Sequence, residues 1–462
     1  MRRFYKLVLA SGLAFGIGTT ASAETLADAL ISAYRESNLI EQNQAILRAA
    51  DEGVAQAVGA LRPVIEYTTQ FNLQRSRSNS IFSSSGFTQD FQQSLGLTAS
   101  MNVYDFGRGD LGINLAKESV LATRQALVAI EQDVLLAAVE AYVDVRLQAE
   151  TLALRQSNVR LIGQELRAAK DRFDVGEATR TDVALAEARL ASAQASEQGA
   201  RGSYDLARES YLSAVGHYPG NLSGLPKAPA LPKSIEEARA IALRSHPSLL
   251  QAQHQVTSSD LQVALAKANF DPTISGRAGL NATYQDGEES SLAQSLTLQM
   301  SQTIYAGGQK ASGLREAIAN NERTRSALHQ TAVILTENVG RAWSNISVSS
   351  ANIQSGETQV RAAQAAFNGV KEEAELGART TLDVLDAEQD LLDARFARLQ
   401  AEANLYVGIY QLLSTMGLLT VDHLNLGVPT YDVEAYYNAV KNAPAHSKQG
   451  EALDRILKTI GN

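Results

Sequence analysis

Whatever this chain folds into, it folds into twice. Tyr104 and Gly107 recur as Tyr305 and Gly308. Val175-Gly176-Glu177-Ala178-Thr179-Arg180-Thr181-Asp182-Val183 recurs as Leu376-Gly377-Ala378-Arg379-Thr380-Thr381-Leu382-Asp383-Val384, and both matches sit at an offset of 201 residues. Residues 40–63 match residues 249–272 at an offset of 209, so the first copy is eight residues longer between Pro63 and Tyr104. Solenoid repeats run to roughly 20–50 residues, so a period this long means two large structural halves. Prolines mark the boundary. Residues 64–218 and 273–428 contain none, while 219–233 hold Pro219, Pro226, Pro229 and Pro232. The expected organisation is a leader at 1–23, a first repeat at 24–218, a Pro-rich linker at 219–233, a second repeat at 234–428 and a C-terminal segment at 429–462.

The leader reading rests on Arg2, Arg3 and Lys6, an apolar run over residues 7–17 and the small-x-small site Ala21-Ser22-Ala23. Such a run is shorter than the roughly 20 residues of a spanning helix. Its removal takes away three cations and no acid, so the formal charge goes from −9 to −12. A chain that acidic is a poor ligand for nucleic acid. There are no cysteines, which removes disulfides and thiolate metal sites. Beyond the leader no stretch of about 18 apolar residues occurs, so any membrane crossing is by strands.

Each copy reads as helix, strand, strand, long helix, long helix. Leu26, Leu30 and Tyr34, then Ile46, Ala50, Val54, Val58 and Leu61 fall at helical spacing, and Pro63 ends the run. Residues 108–175 stay helix-like, a rod of about 100 Å at 1.5 Å per residue. The chain turns at Gly176 and returns to Gly216. Val183 and Leu190, like Val384 and Leu391, stand seven apart, the spacing of coiled-coil packing, and Ala186, Ala188, Ala191, Ala193 and Ala195 allow close approach.

Four runs alternate strictly. Ile65, Tyr67, Thr69 and Phe71 alternate with polar residues, as do Leu95, Leu97, Ala99, Met101 and Val103. In the second copy Ile274, Ala278, Leu280, Ala282 and Tyr284 do so, followed by Leu296, Leu298, Met300 and Ile304. Runs of about 9–11 residues cross a bilayer when tilted. Four strands do not close a barrel, since small ones start at about eight, and open edges are not tolerated in lipid. The chain must therefore share a barrel, and three protomers would supply twelve strands. The Ser/Asn/Arg-rich residues 73–93 are the expected long outer loop.

Gly107-Arg108-Gly109-Asp110-Leu111-Gly112 matches the dinucleotide fingerprint, but the second copy loses the spacing and no βαβ unit surrounds either. The glycines are better explained as the swing from strand into helix. No catalytic motif appears and the histidines are scattered, so neither an enzyme, a metal site nor a cofactor is expected. At the two turns, Thr179 or Thr181 and Thr380 or Thr381 are good N-caps, with Asp182 and Asp383 favourable in the first turn.

At these turns the chain resembles the TolC family of outer-membrane channel-tunnels, over essentially the whole mature length. The resemblance rests on the paired Val/Leu-Gly turns with their aspartates, the Tyr-x-x-Gly junctions and the Pro-linked duplication. It implies a mixed α+β membrane protein: a homotrimer with a twelve-stranded β-barrel, four strands per protomer, continuous with a long α-helical coiled-coil periplasmic tunnel. It also implies passive export through the outer membrane with a periplasmic adaptor and an inner-membrane pump of ABC, RND or MFS type. Site roles carry over by position. Asp383 and Asp386 match the selectivity ring, Arg379 with Thr181 and Asp182 a gate link, and Val175, Gly176, Thr179, Leu376, Gly377 and Thr380 the adaptor-docking turns. The sequence departs at Ala374, where the family's gate carries a tyrosine. The alternative is a periplasmic coiled-coil adaptor or scaffold, which would lack the four alternating strands.

Overall fold

A computed structural model describes residues 23–77, 87–285 and 290–444. The leader, apart from Ala23, lies outside them. In chain order the described elements are α1 (Leu26–Glu36), α2 (Asn38–Gly59), β1 (Val64–Arg77), β2 (Phe87–Tyr104), α3 (Arg108–Asp174), α4 (Arg180–Val215), α5 (Ile235–Ser245), α6 (Pro247–Ala268), β3 (Thr273–Gln285), β4 (Ser291–Ser301), α7 (Gln309–Glu375), α8 (Thr381–Thr415) and α9 (Ala435–Val440). The described residues form two compact units, one within 23–35, 138–228 and 358–403, the other within 36–137, 229–357 and 404–444.

The second unit holds the sheet, antiparallel throughout, in the order β1-β2-β3-β4. Its register brings the alternation of all four strands into phase. Ile65, Ala99, Ala278 and Leu296 lie in one row across the sheet, and Thr69, Leu95, Ala282 and Leu292 in another. The intervening rows, which a two-residue period turns to the other face, read Glu66, Thr98, Gly279, Ser295 and Thr68, Gly96, Asn281, Ala293. The apolar face is bare: Ile65 is 72% exposed and Leu296 88%. β1 and β4 are left as open edges.

The strands run longer than the alternation alone indicates, 14 and 18 residues for β1 and β2 against 13 and 11 for β3 and β4. Most of the expected outer loop at 73–93 is therefore strand, since Leu73 pairs with Phe91 and Arg77 with Phe87, and the turn itself lies outside the described residues. β2 leaves β3 at Gln92, so the stretch beyond it pairs with β1 alone. In the second copy β4 ends at Ser301, so Ile304 and Tyr305 follow the strand, whereas Tyr104 closes β2.

The helix before each hairpin is two helices, not one. Ser37 breaks the first copy by capping α2, accepting from the Ile40 amide, and His246-Pro247 breaks the second. The strand-to-helix swing uses Gly107 and Gly308, both at φ +85. The Asp105 carboxylate fills the amides there, accepting from Gly107 at 3.1 Å and Gly109 at 2.7 Å. The anion-binding end of α3 is thus occupied by the chain's own carboxylate, which disposes of the nucleotide reading. Around α2 and α3, Leu47, Val54, Val120 and Leu127 form a core to which Tyr431, Val433 and Tyr437 are added from the C-terminal segment. Arg62 donates to the Asn442 carbonyl and Tyr436 to Glu52 at 2.7 Å, so residues 431–443 are bound to α2 and α3.

In the first unit α4 buries Ala186, Ala193, Ala200 and Ala207, one residue in every seven. Ala188, Ala191 and Ala195, also expected at close contacts, are exposed in the protomer. Gly216 ends the helix in the left-handed region at φ 97. The Pro-rich linker is tied down rather than loose: Glu24 donates from its amide to Asn221 and accepts from the Ser223 amide, both at 2.8 Å. Tyr211 donates to the Glu24 side chain at 2.5 Å. Cleavage after Ala23 would leave the new ammonium on this Asn221 contact. N-terminal sequencing of purified protein is expected to start at Glu24, and recovery of Met1 would overturn the leader reading.

Candidate functional site

The two repeated turns have the same construction. α3 and α7 both end on a glycine in the left-handed region, Gly176 at φ 84 and Gly377 at φ 77. The Glu177 amide reaches back to the Arg172 carbonyl and the Ala378 amide to Glu373, both at 2.8 Å, which satisfies the helix's last carbonyls. Val175 and Leu376 precede the glycines and stand 71% and 86% exposed. Two bare aliphatic side chains beside hydrogen-bonded turns form a surface that gains from being covered.

The next helix starts with a capping box in both copies. The Asp182 amide donates to Thr179 Oγ1 at 3.3 Å, and the Thr179 amide and hydroxyl donate to the Asp182 carboxylate at 2.9 and 2.8 Å. Thr380 and Asp383 repeat these three distances. Thr179 and Thr380 are therefore the caps; Thr181 is exposed within the first turn of α4 and Thr381 is buried. Hydrogen bonds from Thr179 and Thr380 hold both carboxyls below the usual range, so Asp182 and Asp383 are ionised at neutral pH.

The remaining residues separate. Arg379 pairs with Glu373 at 2.8 Å, not with Thr181 or Asp182 of its own chain. Glu373 and Asp383 together raise its guanidinium pKa further. Ala374 is 5% exposed among Phe367, Val384 and Leu391, so the place of the family's tyrosine is a packed apolar site here. Asp386 receives Arg189 of α4 at 2.6 Å. Arg189 was not visible from the sequence, because its partner lies 197 residues away.

Residues 30–217 and 239–418 match the family model of outer membrane efflux proteins, one stretch in each copy. The chain belongs to the outer membrane efflux protein family. It is 33% identical over 448 residues to the outer membrane efflux protein BepC of Brucella suis, covering 94% of each chain. It is 27% identical to the alkaline protease secretion protein AprF of Pseudomonas aeruginosa, covering 57% of each. Among solved structures, the Campylobacter jejuni CmeC outer membrane channel superimposes with a TM-score of 0.76 at 14% identity, covering 90% of this chain and 89% of that one. The four-stranded sheet is accordingly one protomer's share of the trimeric barrel-and-helical-tunnel fold. As an outer membrane efflux protein, the chain is an export channel of the outer membrane reaching into the periplasm, in a family of transport channels.

Proposed function

We propose that the trimer is the passive outer-membrane exit of a pump-driven export assembly, with the paired turns as its adaptor seats. One observation carries this: Val175-Gly176 and Leu376-Gly377 present exposed aliphatic side chains on turns of the same hydrogen-bond pattern. A periplasmic adaptor with apolar helix tips would find two equivalent seats per protomer. Energy comes from an inner-membrane pump of ABC, RND or MFS type, and cargo choice lies with that pump. The fuller match to an efflux channel than to a protease-secretion protein favours small molecules as the first cargo to test. Outer-membrane lipid covers the apolar face of the sheet, and no nucleic acid or cofactor takes part.

Asp383 and Asp386 form the negatively charged mouth, and Asp182, Thr181 and Arg379 form the gate. With each Asp386 held by an Arg189, Asp383 supplies most of the uncompensated charge. The attraction acts through space on hydrated cations and is screened by salt. In planar bilayers the native channel should be cation-selective and blocked by a trivalent cation from the periplasmic side. Asp383→Asn with Asp386→Asn should remove the block with trimer yield unchanged. If these carboxylates served only to start α8, the double variant would lose stability and keep the block, and an undiminished block would overturn the assignment.

A further inference from the structure

The first unit contains a carboxyl group where a coiled coil keeps its apolar seam. Val384, Glu388 and Leu391 follow the four-then-three spacing of core positions on α8, and Glu388 is 3% exposed. Its Oε1 accepts from Asn158 Nδ2 of α3 at 2.6 Å, and its Oε2 is buried with no protein partner. Around it lie two apolar clusters. Leu385 packs with Ile162, Leu166, Ala169, Ala186 and Ala193, while Val384 and Leu391 pack with Phe367 and Ala374.

The charged groups facing it can be named element by element. α3 brings Glu165, itself 8% exposed, and α7 brings Lys371, 3.7 Å from Glu165. α4, packed against Leu385, carries Arg189, held by Asp386, and Glu187, held by Lys170 of α3. One lysine therefore serves two buried carboxyls. Lys371 is 39% exposed in its side chain and bonds Glu165, so an ionised Glu388 would be a buried charge with no cation in contact with it.

The duplication supplies a control within the chain. At the offset of 201, Lys371 and Glu388 correspond to Lys170 and Glu187. In the first copy those two make an ordinary exposed salt bridge at 2.8 Å. In the second, the acid has turned inward to Asn158 and the lysine has gone to Glu165. The same pair of residue types is a surface contact in one copy and is split, with the acid buried, in the other.

We infer that Glu388, with Asn158, Glu165 and Lys371, is an internal proton-binding site whose occupancy sets how tightly α8 packs on α3. Burial first, and then Glu165, push the Glu388 carboxyl from its ordinary value of 4.5 up to about 7. A carboxyl that binds its proton more tightly when packed than when exposed favours the packed state fully below pH 4.5 and loses that contribution as pH rises to about 7. The seam is thus tightest in acid and loosens towards neutrality. The inference rests on the channel reading only where it touches gating, because α8 also carries the mouth residues.

Amide hydrogen exchange of the purified trimer, corrected for intrinsic rates, reads the site directly. Protection of the peptides covering residues 381–395 should fall between pH 5 and pH 7.5, by at most about tenfold per pH unit for one proton. Glu388→Gln should hold the acid level at both pH values, whereas Glu187→Gln should keep the native response. Glu165→Gln should move the transition to lower pH and Lys371→Gln to higher pH, opposite shifts that a purely structural role would not give. A native pH response in Glu388→Gln, or its equal loss in Glu187→Gln, would overturn the site. If Glu388→Gln gives no trimer, absent or parallel shifts in the Glu165 and Lys371 variants do the same. Bilayer conductance over the same range tests the channel reading separately: pH-linked exchange with unchanged conductance keeps the proton site and removes the gate from it.

Discussion

Leu97→Arg should eliminate the assembled trimer, while Thr98→Arg, one residue away, should leave it intact. Leu97 lies between Tyr67 and Leu280 in the register, on the face that carries Ile65, Ala99, Ala278 and Leu296. An arginine facing lipid near the midplane costs about 2–4 kcal/mol, and three copies make that roughly 6–12 kcal/mol per trimer. Thr98 lies between Glu66 and Gly279 on the polar face, where the glycine leaves room on one side and the Glu66 carboxylate offers an arginine a partner on the other. Leu298→Arg should behave as Leu97→Arg, since Leu298 is 72% exposed on the apolar face. The heat-modifiable trimer band and outer-membrane yield measure the outcome. Equal losses from the Leu97 and Thr98 variants would reverse the assignment of faces.

The second large effect is expected at the turns. Gly176→Trp combined with Gly377→Trp should abolish export while the trimer assembles normally. A Cβ at either glycine meets no atom within 4 Å, so the cost to the fold is the left-handed backbone itself, about 1–2 kcal/mol per site. That strain is small against a trimer held by twelve strands and its helices. The indole would instead stand beside Val175 or Leu376, on the surface proposed to receive the adaptor. Export assays and site-specific cross-linking to the adaptor check the result. Normal export with normal cross-linking would refute the docking role.

How much of this was legible depended on whether the physics was local. The ends of α3 and α4 could be read almost to the residue, because Gly107, Gly176 and Gly216 adopt backbone that other residues avoid. The lower parts of the strands showed in their alternation. Their upper parts did not, because the phase that carries Ile65 and Leu95 continues there as Leu73, Arg75 and Arg77 on β1 and as Phe87, Gln89, Phe91 and Gln93 on β2, mixing arginine and glutamine into the apolar period. The break at Ser37 was available as a capping signal, but the helical period continued on both sides of it. In the candidate site, Thr179–Asp182 and Thr380–Asp383 are three residues apart and were visible. Arg189–Asp386 and Asn158–Glu388 join helices about 200 residues apart in the chain, and no local pattern announces them. Glu388 did carry one clue, a charge at a heptad core position between Val384 and Leu391. Ala374 removed the tyrosine that the resemblance supplied, and its burial explains why nothing larger is accommodated there.

The two hairpins have unequal described lengths. β1 and β2 continue together past Gln92, where β3 has already ended, from Phe91 with Leu73 to Phe87 with Arg77. At about 3.4 Å per residue those five pairs rise roughly 17 Å along the strands. Among the described residues, a threefold ring of such protomers would alternate three longer paired stretches from the first copy with three shorter ones from the second. Substitutions confined to residues 73–77 and 87–91 would therefore alter that extension without changing any pairing between β2 and β3.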